Sequence, residues 1–326
     1  MNLRKAFILF ITIIISCGVL FAAGVESEGN KLASEGDALF KESKFREAAE
    51  KYEAALGKYK EAAKETGEAA MKDKLMKMNK NLYGCYLNGK DYENAVRIKL
   101  DTYKLDHKLK NYDQAALIYV KKLKDYNKAI EILKEKTKIK KSAKTYSKIG
   151  SYYKKLNDLE NSVIYYEKSF SEKASAKTIK NIAYLYKKMG ENAKAIDAYS
   201  RYLATNPSNQ NKAATYKNMG KLYEDLGNTQ KSLENYEKSI SMNYDKDISL
   251  LLLVKYYDKK DLINAKKKVE QLLKKEKNNK DAIYYRARIS YDLNKKQEAL
   301  ADFKKITSSP KYGKIAKDYI KSIESE

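Results

Sequence analysis

The chain has 326 residues and a formal net charge of +24, from 67 Lys and Arg against 43 Asp and Glu. Its two cysteines, Cys17 and Cys85, and single histidine, His107, are too few for a disulfide framework or a zinc cluster. No phosphate-cradling glycine loop, nucleophile elbow or paired-ligand motif appears, so no catalytic, cofactor-binding or metal-binding residue is assigned and the chain does not read as an enzyme.

The charge raises the question of nucleic acid, but the residue types argue against it. Only six of the basic residues are Arg, the side chain that forks onto phosphates and guanine edges, and the lysines are spread along the chain rather than gathered in one stripe. Most of the lysine reads as a solvated surface. The remaining reading is weak attraction to anionic lipid head groups or acidic glycans.

Taken in chain order, Arg4-Lys5 precede an uncharged run from Ala6 to Ala23, followed by Gly24-Val25-Glu26. This is the pattern of an export signal, with the two cations holding the N-terminus inside. Three outcomes stay open. Ala22 and Gly24 suit cleavage just after Gly24, which makes 1–24 a signal peptide. Ile14-Ile15-Ser16-Cys17 resembles a relaxed bacterial lipobox, with Cys17 as the lipidated residue. The run also lies at the short end for a retained membrane anchor. Each outcome puts the rest of the chain outside the cytoplasm, in the periplasm or cell envelope.

From residue 25 to 311 one helix–turn–helix pattern recurs. A small residue, Ala48, Ala95, Ala129, Ser162, Ala195, Ser232, Ala265 and Ala299, returns at successive differences of 47, 34, 33, 33, 37, 33 and 34 in residue number. A second small slot holds Gly36, Gly150, Ala183, Gly220 and Ala287, where the first helix of a pair approaches the second. Tyr52, Tyr166, Tyr199, Tyr236 and Phe303 fill the space between repeats. The copies around Ala95 and Ala129 are degenerate: Lys99 stands where an aromatic residue is expected, and Leu117 where a small one is. The long first interval predicts an insertion of extra helical turns within 57–74, a stretch rich in Ala, Glu and Lys. Pro207 and Pro310 each follow a second helix, where a residue that cannot continue a helix belongs. Residues 312–326, with Ile315, Ala316, Tyr319, Ile320 and Ile323 at helical spacing, predict a terminal cap helix.

A period near 34 residues with this patterning resembles the tetratricopeptide repeat (TPR) family. The resemblance implies an all-α, right-handed superhelical solenoid of about eight repeats, capped at its C-terminus because an exposed last interface needs a polar cover. In that family the first helices line a concave face that holds extended peptides or helices. The resemblance therefore implies a basic stretch of groove at Lys177, Lys180, Tyr184, Lys187, Lys217, Asn218 and Lys221. It implies an apolar, aromatic stretch at Leu250, Val254, Tyr257, Tyr284, Tyr285, Arg288 and Tyr291, the residue types of interface anchors. The run Leu250 to Val254 is apolar all round, so packing against a neighbouring repeat is an open alternative. The carboxylate clamp of chaperone-binding members is incomplete: Lys180 and Asn218 match, but Tyr184, Asp247 and Leu251 replace the other positions.

These observations lead to a non-enzymatic protein–protein interaction scaffold of the bacterial cell envelope, holding an extended or helical, acidic segment of another envelope protein in its groove. It needs no cofactor and binds no nucleic acid. Membrane attachment through the N-terminus and self-association both stay open. The alternative is a charge-driven binder of anionic lipid or glycan.

Overall fold

A computed structural model describes residues 3–325, with side chains from residue 19 onward; Cys17, the lipidation candidate, has its side chain outside that range. Among the described residues, seventeen α-helices and one π-helical turn form two units, 1–173 and 174–326, and no strand occurs. Also among the described residues, no helix is long and apolar enough to cross a membrane.

The first unit pairs α1 (Leu3–Lys41) with α2 (Phe45–Thr66), and α3 (Glu68–Asn88) with α4 (Tyr92–Asp106). It continues with α5 (Lys110–Ile118) and α6 (Tyr126–Ile139), then α7 (Ala143–Lys155) and α8 (Leu159–Glu172). The second unit pairs α9 (Ala176–Lys188) with α10 (Asn192–Ala204), and α11 (Asn209–Asp225) with α12 (Thr229–Met242). Then come α13 (Lys246–Asp258) with α14 (Leu262–Lys275), and α15 (Lys280–Asp292) with α16 (Lys296–Lys304), before the last helix α17 (Gly313–Ser325).

Each pair is joined through a residue with positive φ: Ser43, Lys90, Lys124, Asn157, Gly190, Gly227, Lys260 or Asn294. One left-handed residue reverses the chain, and in five of the eight pairs an Asp or Asn beside it then starts the second helix, the others starting at Lys44, Glu191 and Lys295. Asp91, Asp125, Asp158, Asn228 and Asp261 each accept a hydrogen bond from the backbone N–H three residues on, which satisfies one of the orphan donors of a new helix. His107 has a left-handed backbone at the C-terminal end of α4 and is exposed.

Inside a pair, a small residue and an aromatic ring meet. Ser162 Oγ donates to the Gly150 carbonyl at 2.8 Å, a reach that needs the two backbones close. Ser169 and Ser239 donate to the carbonyls of Ala143 and Ala213, both at 2.9 Å, and tie the end of each second helix to the start of its first.

The insertion in the first repeat is helical, as composition predicts. Extra turns lengthen both α2 and α3, and Gly67 at φ 88° breaks the chain between them. The added surface is covered by α1: Ala22, Val25 and Ala33 pack in one core with Tyr59, Ala62, Met71 and Leu75, and Tyr59 Oη donates to Asn30 Oδ1 at 2.8 Å. Val19, Leu20 and Phe21 are exposed, and among the described side chains of α1 the first that is buried is Ala22.

The third repeat departs from expectation. Leu117, read as an intruder in the small-residue slot, is 49 % exposed, whereas Ala115 and Ala116 are fully buried. The π-helical turn Tyr119–Leu123 explains the change: it takes up one residue more than an α-turn, so the preceding residues rotate and Ala116 enters the slot. The repeat keeps its small residue, one position earlier than a fixed ruler places it.

Candidate binding groove

In the second unit the basic candidates come from α9 and α11. Lys177, Lys180 and Lys221 are exposed and Tyr184 is 48 % exposed. Lys187 Nζ donates to Asn218 Oδ1 at 3.3 Å, so two candidates from neighbouring first helices hold each other. Lys217 forms a 2.7 Å salt bridge with Asp245, the N-cap of α13. Burial alone would raise the Asp245 carboxyl, but its bonds to Lys217 and to the Ile248 N–H outweigh that and hold it below the usual carboxylate range.

A carboxylate edge accompanies these amines. Glu224, Asp225, Asp258 and Asp292 are exposed at the C-terminal ends of α11, α13 and α15. Glu224 accepts from Lys255 at 2.6 Å, which pulls its carboxyl down. The lysine count by itself hides this edge, because the acids are scattered in sequence and gather only when first helices stand side by side.

The aromatic candidates are largely occupied by one another. Tyr257 is buried and donates to Asp292 at 2.7 Å; Tyr284 is buried and stacks on Tyr312 at 4.3 Å with the planes 13° apart. Tyr285 meets both rings edge-on, and Tyr291 meets Tyr319 of α17 the same way at 5.0 Å. Arg288 lies among the rings of Tyr257, Tyr284 and Tyr319 at 5.2, 5.7 and 5.3 Å and donates to Tyr284 Oη at 2.8 Å. Of the described arginines it is the one with no carboxylate partner.

Leu250 and Val254 are half-buried while Leu252 and Leu253 are fully buried. The all-apolar run is thus explained mainly by packing. The structure brings Tyr257, Tyr284, Tyr285, Arg288, Tyr291 and the cap helix into one cluster, which leaves Lys177, Lys180, Tyr184 and Lys221 as the more accessible group.

Comparison with known proteins bears on the fold at this point. Three tetratricopeptide-repeat family profiles match, over residues 34–77, 143–175 and 173–244. The chain is a tetratricopeptide-repeat protein. Tetratricopeptide arrays are generally non-catalytic scaffolds for protein–protein contacts. Among solved structures, that of Naa15/Naa10 bound to HypK-THB is similar at 16 % identity and a TM-score of 0.52, over 78 % of this chain and 39 % of that one. A crystal structure of MamA is similar at 20 % identity and a TM-score of 0.40, over 53 % of this chain and 93 % of that one. YrrB, described as a TPR protein with an unusual peptide-binding site, is similar at 16 % identity and a TM-score of 0.41, over 60 % of this chain and 97 % of that one. No curated protein matches the sequence.

Proposed function

We propose that this tetratricopeptide array is a non-enzymatic scaffold of the bacterial cell envelope that holds an acidic, extended or helical segment of a partner protein along α9 and α11. One observation carries the reading: Lys177, Lys180 and Lys221 present exposed amines on first helices, and none of them has a salt-bridge partner among the described residues. Exposed amines without a salt bridge suit a partner whose carboxylates complete the pairing. The envelope setting rests on the leader. That leader is the pair Arg4-Lys5 followed by the uncharged run from Ala6 to Ala23.

The test is crosslinking in native envelopes with wild-type protein beside the triple variant Lys177→Glu, Lys180→Glu, Lys221→Glu. A single protein recovered by the wild type and lost by the variant supports the scaffold. Recovery of anionic lipid or glycan by both, abolished by moderate salt, would replace it with charge-driven surface binding.

A further inference from the structure

The second repeat carries polar residues at two positions that several other repeats fill with large side chains. Counting sixteen residues back from the small residue of each second helix, the first, fourth, fifth, sixth and eighth repeats hold Leu32, Tyr146, Ile179, Tyr216 and Ile283, the third and seventh hold the polar Asp113 and Ser249, and the second holds Asn79. Four residues after the same small residue, where Tyr52, Tyr166 and Tyr236 stand elsewhere, it holds Lys99. Both departures line one cleft of about 500 Å³ between α3, α4 and α5. Asn79 is 2 % exposed and its Oδ1 has no hydrogen-bond partner among the described residues. Lys99 is half-buried, makes no salt bridge among the described residues, and rests its amine 3.6 Å from the centroid of the Tyr83 ring.

A buried amide oxygen without a donor and a half-buried cation without an anion are both costly to leave unpaired. Both residues line the same cleft, where one ligand carrying an anion and a donor would complete both pairings. We propose that this cleft binds a monocarboxylate that carries a neighbouring N–H or O–H: the carboxylate pairs with Lys99 and the donor with Asn79 Oδ1. A single negative charge is favoured because Asp73 and Asp106 line the same cleft and would repel a phosphate dianion, while Lys77, Lys80 and Lys110 draw an anion to its mouth. Burial, and then the nearby Lys110, pull the Lys99 amine below the usual lysine range, with Asp106 opposing them, so a bound anion would relieve an existing penalty. Asn79 also borders a second cleft of about 370 Å³ on the α2 side, where Lys104 is already paired with Asp101 at 2.7 Å.

The ligand chemistry has two sources, a free small acid or the C-terminus of a partner chain. The site lies in the first unit, so its success or failure is independent of the α9–α11 reading. The experiment is a calorimetric and NMR titration of the full chain, with lysine side chains labelled, against three probes: N-acetylalanine, its uncharged amide, and an acetylated hexapeptide ending in the same alanine carboxylate. The expected result is a saturable shift of the Lys99 resonance with N-acetylalanine and none with the amide. Lys99→Met is expected to weaken binding by about tenfold or more, the scale of one charge-assisted hydrogen bond, and Asn79→Leu by up to about tenfold, the scale of a neutral one, while Lys99→Arg retains it. Thermal melts of each variant show that the fold is intact. Binding of the hexapeptide tenfold tighter than the free acid assigns the site to a polypeptide terminus; equal binding assigns it to the small acid. No saturable shift, the same shift with the amide, or binding that survives either Asn79→Leu or Lys99→Met overturns the proposal.

Discussion

Gly220 lies so close to Tyr236 that a methyl group added at its Cα would stand 2.7 Å from both Cδ1 and Cε1 of the ring. Tyr236 is 1 % exposed and its hydroxyl donates to Glu224 at 2.9 Å, so the ring is held at both ends and cannot swing aside. Gly220→Ala should destabilise the second unit by about 1–3 kcal/mol through overpacking. Gly57→Ala, at a helical position with nothing within 4 Å, should instead gain about 0.5–1 kcal/mol from helix propensity. Urea unfolding of the two variants checks the contrast; equal effects would mean that the glycine slot is not a contact site.

The register change in the third repeat makes a second contrast. Ala116→Leu should cost about 1–3 kcal/mol by crowding the buried slot, whereas Leu117→Ala, at a half-exposed site, should cost under about 1 kcal/mol. If Leu117→Ala were the more damaging, as the fixed 34-residue ruler expects, the π-turn assignment would fail.

Cys85 is 1 % exposed, and burial pushes its thiol up to about 11. Because the thiolate is the reactive form, an aromatic disulfide reagent at pH 8 should label a Cys17→Ser protein slowly when folded and rapidly in denaturant. Fast labelling of the folded chain would show the thiol to be accessible.

Four carboxyls, Asp113, Asp245, Asp281 and Asp302, have pKa values lowered by folding; in each, burial pushes upward and bonds to lysine, arginine, tyrosine or backbone N–H groups outweigh it. A depressed folded value means that the stabilisation is complete above the unfolded carboxyl value of about 3.9 and disappears as pH falls through the folded value. The melting temperature should therefore be flat from neutrality to about pH 5 and drop below about pH 4. Asp302 receives Arg286 at 2.6 and 2.7 Å and Lys305 at 2.8 Å, so Asp302→Asn should lower stability at pH 7 and make the acid limb shallower. A variant curve parallel to the wild type at every pH would exclude this pair as a contributor.

Lys268, 4 % exposed, donates to Glu237 at 2.5 Å and to Gln271 at 3.1 Å. Glu237→Ala leaves a buried ammonium without its anion and should cost about 3 kcal/mol, whereas replacing both residues by Met should recover most of that loss. A double-mutant cycle on thermal melts tests the coupling.

The repeat period, the number of helical pairs, the small and aromatic contact slots and the helical character of the first insertion were all legible in the sequence by itself. Each depends on local spacing, since a helix presents every third or fourth residue to one neighbour and a polar cap or left-handed turn acts within a few residues. Tertiary structure alone decided the rest. A single π-turn moved the small slot from Leu117 to Ala116, Tyr257 and Tyr284 were drawn into the cluster around Arg288, and Lys217 and Lys187 were committed to Asp245 and Asn218. Asn79 and Lys99, polar where several other repeats carry large side chains, came to line one cleft. These outcomes rest on which side chains of successive helices come within hydrogen-bond or van der Waals reach, and residues some thirty positions apart acquire that proximity only when the helices stack.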